Sequence, residues 1–283
     1  MRRETFEMRE KQIRKIVRQS YAKIVKNKNS CCGSVGTCRG PDLQKTISKN
    51  IGYTDEELEA VPEGANLGLG CGNPVALASL KEGETVLDLG SGGGFDCFLA
   101  AKKVGKTGKV IGVDMTPEMI EKARENSRKG NYENVEFRLG EIENLPAADN
   151  SVDIVISNCV INLSPDKGRV FTEAFRVLKP GGRLMISDIV LSRELPSSVK
   201  NSVEAYIGCI SGAITREEYL EAIRHAGFRK ANIVDETSFP IEYLSSDPTA
   251  KAIIKKLKMR AEEIRDIASS ILSVKVCGIK PAT

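Results

Sequence analysis

Apolar positions recur along this chain with two periods. Short apolar runs at 85–89, 109–114, 135–139, 152–157 and 183–188 alternate with stretches at 95–104, 117–129 and 168–178 whose apolar residues fall three and four apart. The runs predict buried strands and the stretches predict helices packed on them. Such strand–helix alternation predicts an α/β fold with a doubly wound, mostly parallel sheet and a ligand crevice at the carboxyl ends of its strands. Weaker strand patterns at 229–235 and 270–279 bring the expected total to seven.

The flanks are patterned differently. Ile13, Ile16, Val17, Tyr21, Ile24 and Val25 predict one amphipathic helix over 5–27, whose apolar face must lie against the rest of the protein. Residues 27–41 form a Ser/Gly/Cys loop holding Cys31, Cys32 and Cys38, and this spacing does not match the opening pair of most zinc sites. Thr54 with Asp55, Glu56 and Glu57 predicts a capped helix that stops before Pro62. Gly68, Gly70 and Gly72 then surround Cys71 ahead of Asn73-Pro74, an irregular loop with little bulk to hide the thiol. Lys179-Pro180-Gly181-Gly182 predicts a turn feeding the fifth strand; helices are expected at 197–212, at 215–225 with Thr215 as cap, and at 248–268. Three regions follow: an N-terminal helix and cysteine loops over 1–74, a ligand-binding core over 75–190, and a C-terminal region over 191–283 that completes the sheet.

The core is organised around Val86-Leu87-Asp88-Leu89 and the glycine turn Gly90-Ser91-Gly92-Gly93-Gly94. Glycines let a backbone approach a ligand closely, and the following helix offers its unpaired N–H groups. A dinucleotide fingerprint counted from Gly90 and Gly92 would place Phe95 where helix–strand packing favours a small residue. The spacing Asp88-x-Gly90-x-Gly92-x-Gly94 instead resembles the first motif of class I S-adenosylmethionine-dependent methyltransferases. That resemblance implies that Asp88 faces the ligand's ammonium and that Asp114, ending the second strand, accepts from two ribose hydroxyls. It places Met115 beside the adenine, Glu141 and Ile142 at its border, and Asn158 among the cofactor contacts. Asp114 also suits an Asx turn before Thr116-Pro117, and Glu141 an ordinary exposed acid.

Composition narrows the classes. The 283 residues are 41% hydrophobic and 28% charged with a net charge of +4, as in a globular protein. Basic residues are interleaved with acids rather than massed, which argues against a nucleic-acid surface. No apolar stretch is long enough to span a membrane, and residues 1–12 are too charged for a signal peptide, so a cytoplasmic location is expected. The 8 cysteines are then thiols by default. No heptad seam is present, and a monomer is expected.

Cys159 follows the fourth strand at the carboxyl rim, and Cys209 lies at the small-residue break Gly208-Cys209-Ile210-Ser211-Gly212-Ala213. Cys97, in a helix, and Cys277, in a strand, are assigned to packing. The segments Gly70-Cys71-Gly72-Asn73-Pro74, Ser157-Asn158-Cys159-Val160-Ile161-Asn162-Leu163 and 208–213 resemble the cysteine segments of arsenite methyltransferases, in order and spacing, over nearly the whole chain. This likeness implies that Cys159 and Cys209 hold trivalent arsenic and that Cys71 joins them or pairs with them as a disulfide. A fourth cysteine serves a redox relay in that family; Cys32 is favoured here, with Cys31 and Cys38 left open. An external thiol of glutathione or thioredoxin type would reset the relay. The chemistry fits these residue types: arsenic is thiophilic, and its lone pair can attack a sulfonium methyl without a general base. The only histidine, His225, sits where a helix ends. The competing readings are a methyltransferase of a small carbon acid or quinone precursor, a non-catalytic thiol-based arsenite binder, and a nicotinamide dehydrogenase.

Overall fold

Val86, Leu87, Asp88 and Leu89 point alternately to the two faces of the sheet, and each face carries its own core. The computed structural model describes residues 2–26, 41–238, 254, 255 and 259–282. Its strands are β1 (Thr85–Leu89), β2 (Lys109–Asp114), β3 (Val135–Leu139), β4 (Val152–Asn158), β5 (Leu178–Leu191), β6 (Arg229–Ser238) and β7 (Ile271–Ile279). They form a 7-stranded sheet in the order β3-β2-β1-β4-β5-β7-β6. The first five run parallel; β7 is antiparallel to both β5 and β6. The expected doubly wound, mostly parallel sheet is therefore present, and the strand order reverses beside β1.

The helices are α1 (Arg2–Lys26), α2 (Pro41–Asn50), α3 (Asp55–Glu59), α4 (Pro74–Leu77), α5 (Phe95–Val104), α6 (Pro117–Lys129), α7 (Lys167–Val177), α8 (Ser197–Lys200), α9 (Val203–Ile207), α10 (Arg216–His225) and α11 (Ala261–Ser270). On one face Val86, Val110, Ile154 and Ile156 pack with Phe98, Ala101 and Val104 of α5 and Ile120 and Ala123 of α6. On the other, Leu87, Val113, Val155 and Ile186 pack with Phe171 and Ala174 of α7 and with Tyr219 and Ile223 of α10. A third cluster caps the carboxyl ends of the strands. Val17 of α1, Leu163, Ile189, Leu195, Val199 and Ala205 enclose Cys71 and Cys209 there, with Tyr21, Met115 and Cys159 against them.

Several elements form for the anticipated local reasons. Thr54 and Thr215 each close a capping box, with Glu57 and Glu218 as the third residues of their helices. Others differ. The expected helix over 197–212 is two short helices, because Ser202 interrupts it and its Oγ accepts the Ala205 N–H at 3.2 Å as a fresh cap. Residues 179–182 bulge out of β5, since Val152 pairs with Leu178 but Ile154 already pairs with Arg183. The helix expected over 248–268 is found as α11, and most of residues 248–258 lie outside the described residues. Among the described residues no helix is long and apolar enough to cross a membrane.

Phe98 is fully buried, with its ring 4.6 Å from Tyr132 and 5.8 Å from Phe137, centroid to centroid. Phe98→Ala empties the centre of that face, and urea unfolding is expected to show a loss of about 3–5 kcal/mol.

Candidate functional site

β4 delivers the first thiol. The strand ends at Asn158, and Cys159 leaves it at φ 57°, in the left-handed region, while its N–H still donates to Ser187 O of β5 at 2.8 Å. A non-glycine residue there is uncommon and costs conformational energy. Cys209 adopts φ 63°, again left-handed, and its Sγ lies 3.0 Å from the Cys159 carbonyl oxygen. A Cβ on Gly212 would collide with the Asn162 carbonyl, so that glycine is what lets the 208–213 segment close over the turn at Ile161–Leu163.

Cys71 arrives from the opposite side. Its N–H donates to Asn158 Oδ1 at 3.0 Å, its carbonyl accepts from Ser273 Oγ at 2.8 Å, and its Sγ lies 3.5 Å from Ser187 O. Gly70 and Gly72 fit this docking, since a Cβ on either would press into Asn158 or Ser187. The expectation that Cys71 is poorly hidden is therefore corrected: it is 5% exposed, because bare glycine backbone lets the loop sink onto β4 and β5. The Cys159 thiol interacts electrostatically with the Cys71 and Cys209 thiols. One oxygen of Asp188 lies, with the Cys71 and Cys159 sulfurs, in a set whose members are all within 4.8 Å of one another.

Burial dominates the electrostatics. It pushes the Cys71 thiol up to about 11. The Cys209 side chain favours the Cys159 thiolate, but the neighbouring Cys71 and burial outweigh it and the net shift is strongly upward. At Cys209 the neighbouring Cys159 side chain and burial together raise the thiol well above its ordinary range. All three are neutral thiols near pH 7. Burial raises Asp188 to about 6 against hydrogen bonds from the Ile189 N–H, the Tyr219 hydroxyl and the Asn162 amide, which leaves it ionised at neutral pH.

The glycine turn lies at the same end of the sheet. Gly90, Gly92 and Gly94 all have positive φ; a Cβ on Gly90 would strike Val160 and one on Gly94 would strike Phe98 and Phe137, whereas one on Gly92 meets nothing within 4 Å. Gly92 thus faces open space, and the neighbouring Ser91 Oγ is buried without a partner. Asp114 Oδ2 accepts the Gly92 N–H at 3.0 Å and Oδ1 accepts the Thr116 N–H at 2.8 Å. The Asx turn is therefore real, and it fixes the carboxylate against the glycine turn with lone pairs left for further donors. These features fit an adenosyl ligand. Met115 packs on the cysteine cluster and Ile142 is buried against the α7 face. Glu141 is exposed, and Arg14 Nε lies 3.6 Å from its Oε2 and 3.3 Å from Glu143 Oε1, tying α1 across this rim.

Asp88 lies beneath the turn, 2% exposed, and accepts from Cys97 Sγ at 3.2 Å; burial and the charge of Asp96 push its carboxyl up. Cys97 thus packs as expected, and Cys277 lies in β7 with Sγ 3.2 Å from Asn232 Oδ1. His225 is the exposed last residue of α10. Cys32, with Cys31 and Cys38, lies outside the described residues. Sequence reasoning missed Tyr53, Asp96 and Asp188. Tyr53 Oη donates to Asp96 Oδ1 at 2.6 Å, and Asn158 Nδ2 lies within 3.1 Å of Asp96 Oδ2, Gly72 O and Tyr53 Oη. Only the acid in the first turn of α5 gave any signal, and it reads as ordinary helix charge. A surface cavity of about 1420 Å³ between Pro62, Gly105 and Gly130 includes none of these site residues in its lining.

A glycine turn beside the reversal point of a 7-stranded sheet with β7 antiparallel defines a class I S-adenosylmethionine-dependent methyltransferase fold, and residues 80–227 match the family described as "Methyltransferase domain". An arsenite methyltransferase of Halobacterium salinarum is 52% identical over 227 residues, 78% of this chain and 58% of its own length; one of Aquipseudomonas alcaligenes is 37% identical over 94% of this chain and 73% of its own. The chain belongs to the arsenite methyltransferase family. The crystal structure of an arsenic(III) S-adenosylmethionine methyltransferase from Chlamydomonas reinhardtii, 34% identical, superposes with a TM-score of 0.62 over 83% of this chain and 74% of that one. The chain thus spans little more than half the length of the halobacterial relative.

Asn158→Ala strips partners from the Cys71 N–H, the Gly72 carbonyl and Asp96. Denaturant titration is expected to show a loss of about 2–3 kcal/mol, and Cys71 should react faster with a thiol reagent in the native protein. Burial, against hydrogen bonds from Tyr53 and Asn158, raises Asp96 to about 6. The folded state therefore holds this proton more tightly than the unfolded chain, so the contribution is most favourable below about pH 4 and is lost as pH rises to about 6. Asp96→Asn should flatten that part of the stability–pH profile measured by urea unfolding.

Proposed function

We propose that this chain methylates trivalent arsenic held by the thiols of Cys71, Cys159 and Cys209, with S-adenosylmethionine as donor. The observation that carries the reading is the convergence of three thiols, Cys71 and Cys209 buried and Cys159 half-buried, from three separate segments, at the carboxyl rim beside the glycine turn. Arsenite is a neutral trihydroxide, and three neutral thiols condense with it by releasing three waters. The raised thiol pKa values are therefore no obstacle, because each proton leaves with an arsenic hydroxyl. Soft sulfur ligands select this soft centre over oxygen-loving ions.

The bound donor supplies a methyl group on a positively charged sulfonium. Gly90 and Gly92 admit it against bare backbone, Asp114 accepts from its ribose hydroxyls, and Met115, Glu141 and Ile142 border its adenine. Asn158 lies toward its amino-acid end, with Asp88 buried beneath the turn. Asn158 also fixes the Cys71 loop, so donor and arsenic are positioned through one side chain. No proton is transferred during methyl transfer, and catalysis rests on holding the reacting atoms close and aligned. Methylation oxidises arsenic; a further cysteine, Cys32 in this reading, and then an external thiol of glutathione or thioredoxin type return the electrons.

The test is incubation with arsenite, methyl-labelled S-adenosylmethionine and a thiol, followed by chromatography of arsenic species. Labelled methylarsenicals are expected from the wild type, and Cys159→Ser and Cys209→Ser should each lower their yield at least ~10²-fold. Tight arsenite binding without methylated product would make the protein a binder instead. Serine variants with full turnover on another acceptor would point to carbon methylation.

A further inference from the structure

Asp188 is a fully buried carboxylate in a place where burial disfavours charge. It projects from β5 toward α7 and α10, with no exposed surface. Its three hydrogen-bonding neighbours all donate to it: the Ile189 N–H at 2.8 Å and Asn162 Nδ2 at 3.0 Å to Oδ1, and Tyr219 Oη at 2.9 Å to Oδ2. An environment made only of donors stabilises the ionised form. Lys167 of α7 interacts with it electrostatically, while its own Nζ donates to the Ser164 carbonyl at 3.3 Å. The carboxylate shares one cluster with the Cys71 and Cys159 sulfurs, no ligand atoms more than 4.8 Å apart, and both cysteines belong to or pack against an apolar cluster. A fixed negative charge beside two thiols hinders thiolate formation in the resting protein. It therefore needs a purpose that emerges later in the reaction.

Charge bookkeeping supplies one, given the arsenic reading above, on which this inference rests. Arsenic bound to three thiolates is neutral. When its lone pair forms the arsenic–carbon bond, the carbon–sulfur bond of the sulfonium breaks and its electron pair goes to that sulfur, which becomes neutral. The positive charge moves to the methylated arsenic centre, deep in an apolar cluster. A thiolate then attacks one sulfur ligand: a disulfide bond forms, an arsenic–sulfur bond breaks, and its pair returns to arsenic as a lone pair, leaving a neutral methylarsenic dithiolate. We propose that Asp188 is the fixed counter-charge for methyl transfer, stabilising the positive charge that arsenic acquires between Cys71 and Cys159. A preorganised group of this kind acts on the transition state more than on the neutral arsenite complex, because charge is present only there.

Asp188→Asn isolates the charge. Its carbonyl can keep the Ile189 and Asn162 hydrogen bonds, and its amide can donate to the Tyr219 oxygen, so the packing is preserved. Arsenite affinity, measured by equilibrium dialysis, should match the wild type, while the single-turnover methylation rate at saturating arsenite and donor falls at least ~10²-fold. Tyr219→Phe removes a hydrogen bond and keeps the charge, and its rate should fall less than about tenfold. An Asp188→Asn rate equal to wild type overturns the proposal, as does a loss confined to arsenite affinity, which would make Asp188 a ground-state ligand. A wild type that forms no methylarsenical refutes the functional reading itself, separately from any effect of Asp188.

Discussion

The structure depends on gathering three thiols, two of them buried, at the end of a parallel sheet. Each comes from a different part of the chain, and none is held by its own secondary structure. Cys159 and Cys209 sit in left-handed backbone, and Cys71 sits on a glycine loop. What holds them is hydrogen bonding to strand ends, with Ser187 O accepting from the Cys159 N–H and lying against the Cys71 thiol. Burial leaves the thiols neutral, and so resistant to oxidation until a thiophilic centre displaces their protons.

Asn158 connects the two halves of the site. Its carbonyl oxygen holds the Cys71 backbone, and its amide reaches Gly72, Tyr53 and Asp96 at the start of α5. Because α5 begins at the glycine turn, a shift of that turn is transmitted to the Cys71 loop through a single amide. α1 closes the assembly from outside, with Val17 buried in the cysteine cluster, Arg14 against Glu141 and Glu143, and Tyr21 Oη donating to the Ile207 carbonyl at 3.2 Å. The N-terminal helix is thus part of the site wall.

The sheet was legible in the sequence because buried parallel strands leave continuous apolar runs and surface helices leave a three-and-four spacing. The 197–212 segment was misread because its apolar pattern suits one helix, whereas Ser202 recaps the chain and Gly212 must pass close to Asn162. Cys71 was misread in the other direction: loop glycines usually mean exposure, but here they permit close docking. Asp114 answered to both of its readings at once, since the Asx turn leaves room for other donors.

By itself the sequence determined the strands, most of the helices, the glycine turn and the candidate cysteines, because each is encoded in neighbouring residues. The tertiary structure alone decided that Cys71, Cys159 and Cys209 meet, that Asn158 ties them to the α5 turn, and that Asp188 stands beside them. The contacts that hold this site join residues as far as 202 positions apart, as with Cys71 and Ser273. Local periodicity carries no information about them; sheet register and the packing of bare glycine backbone do.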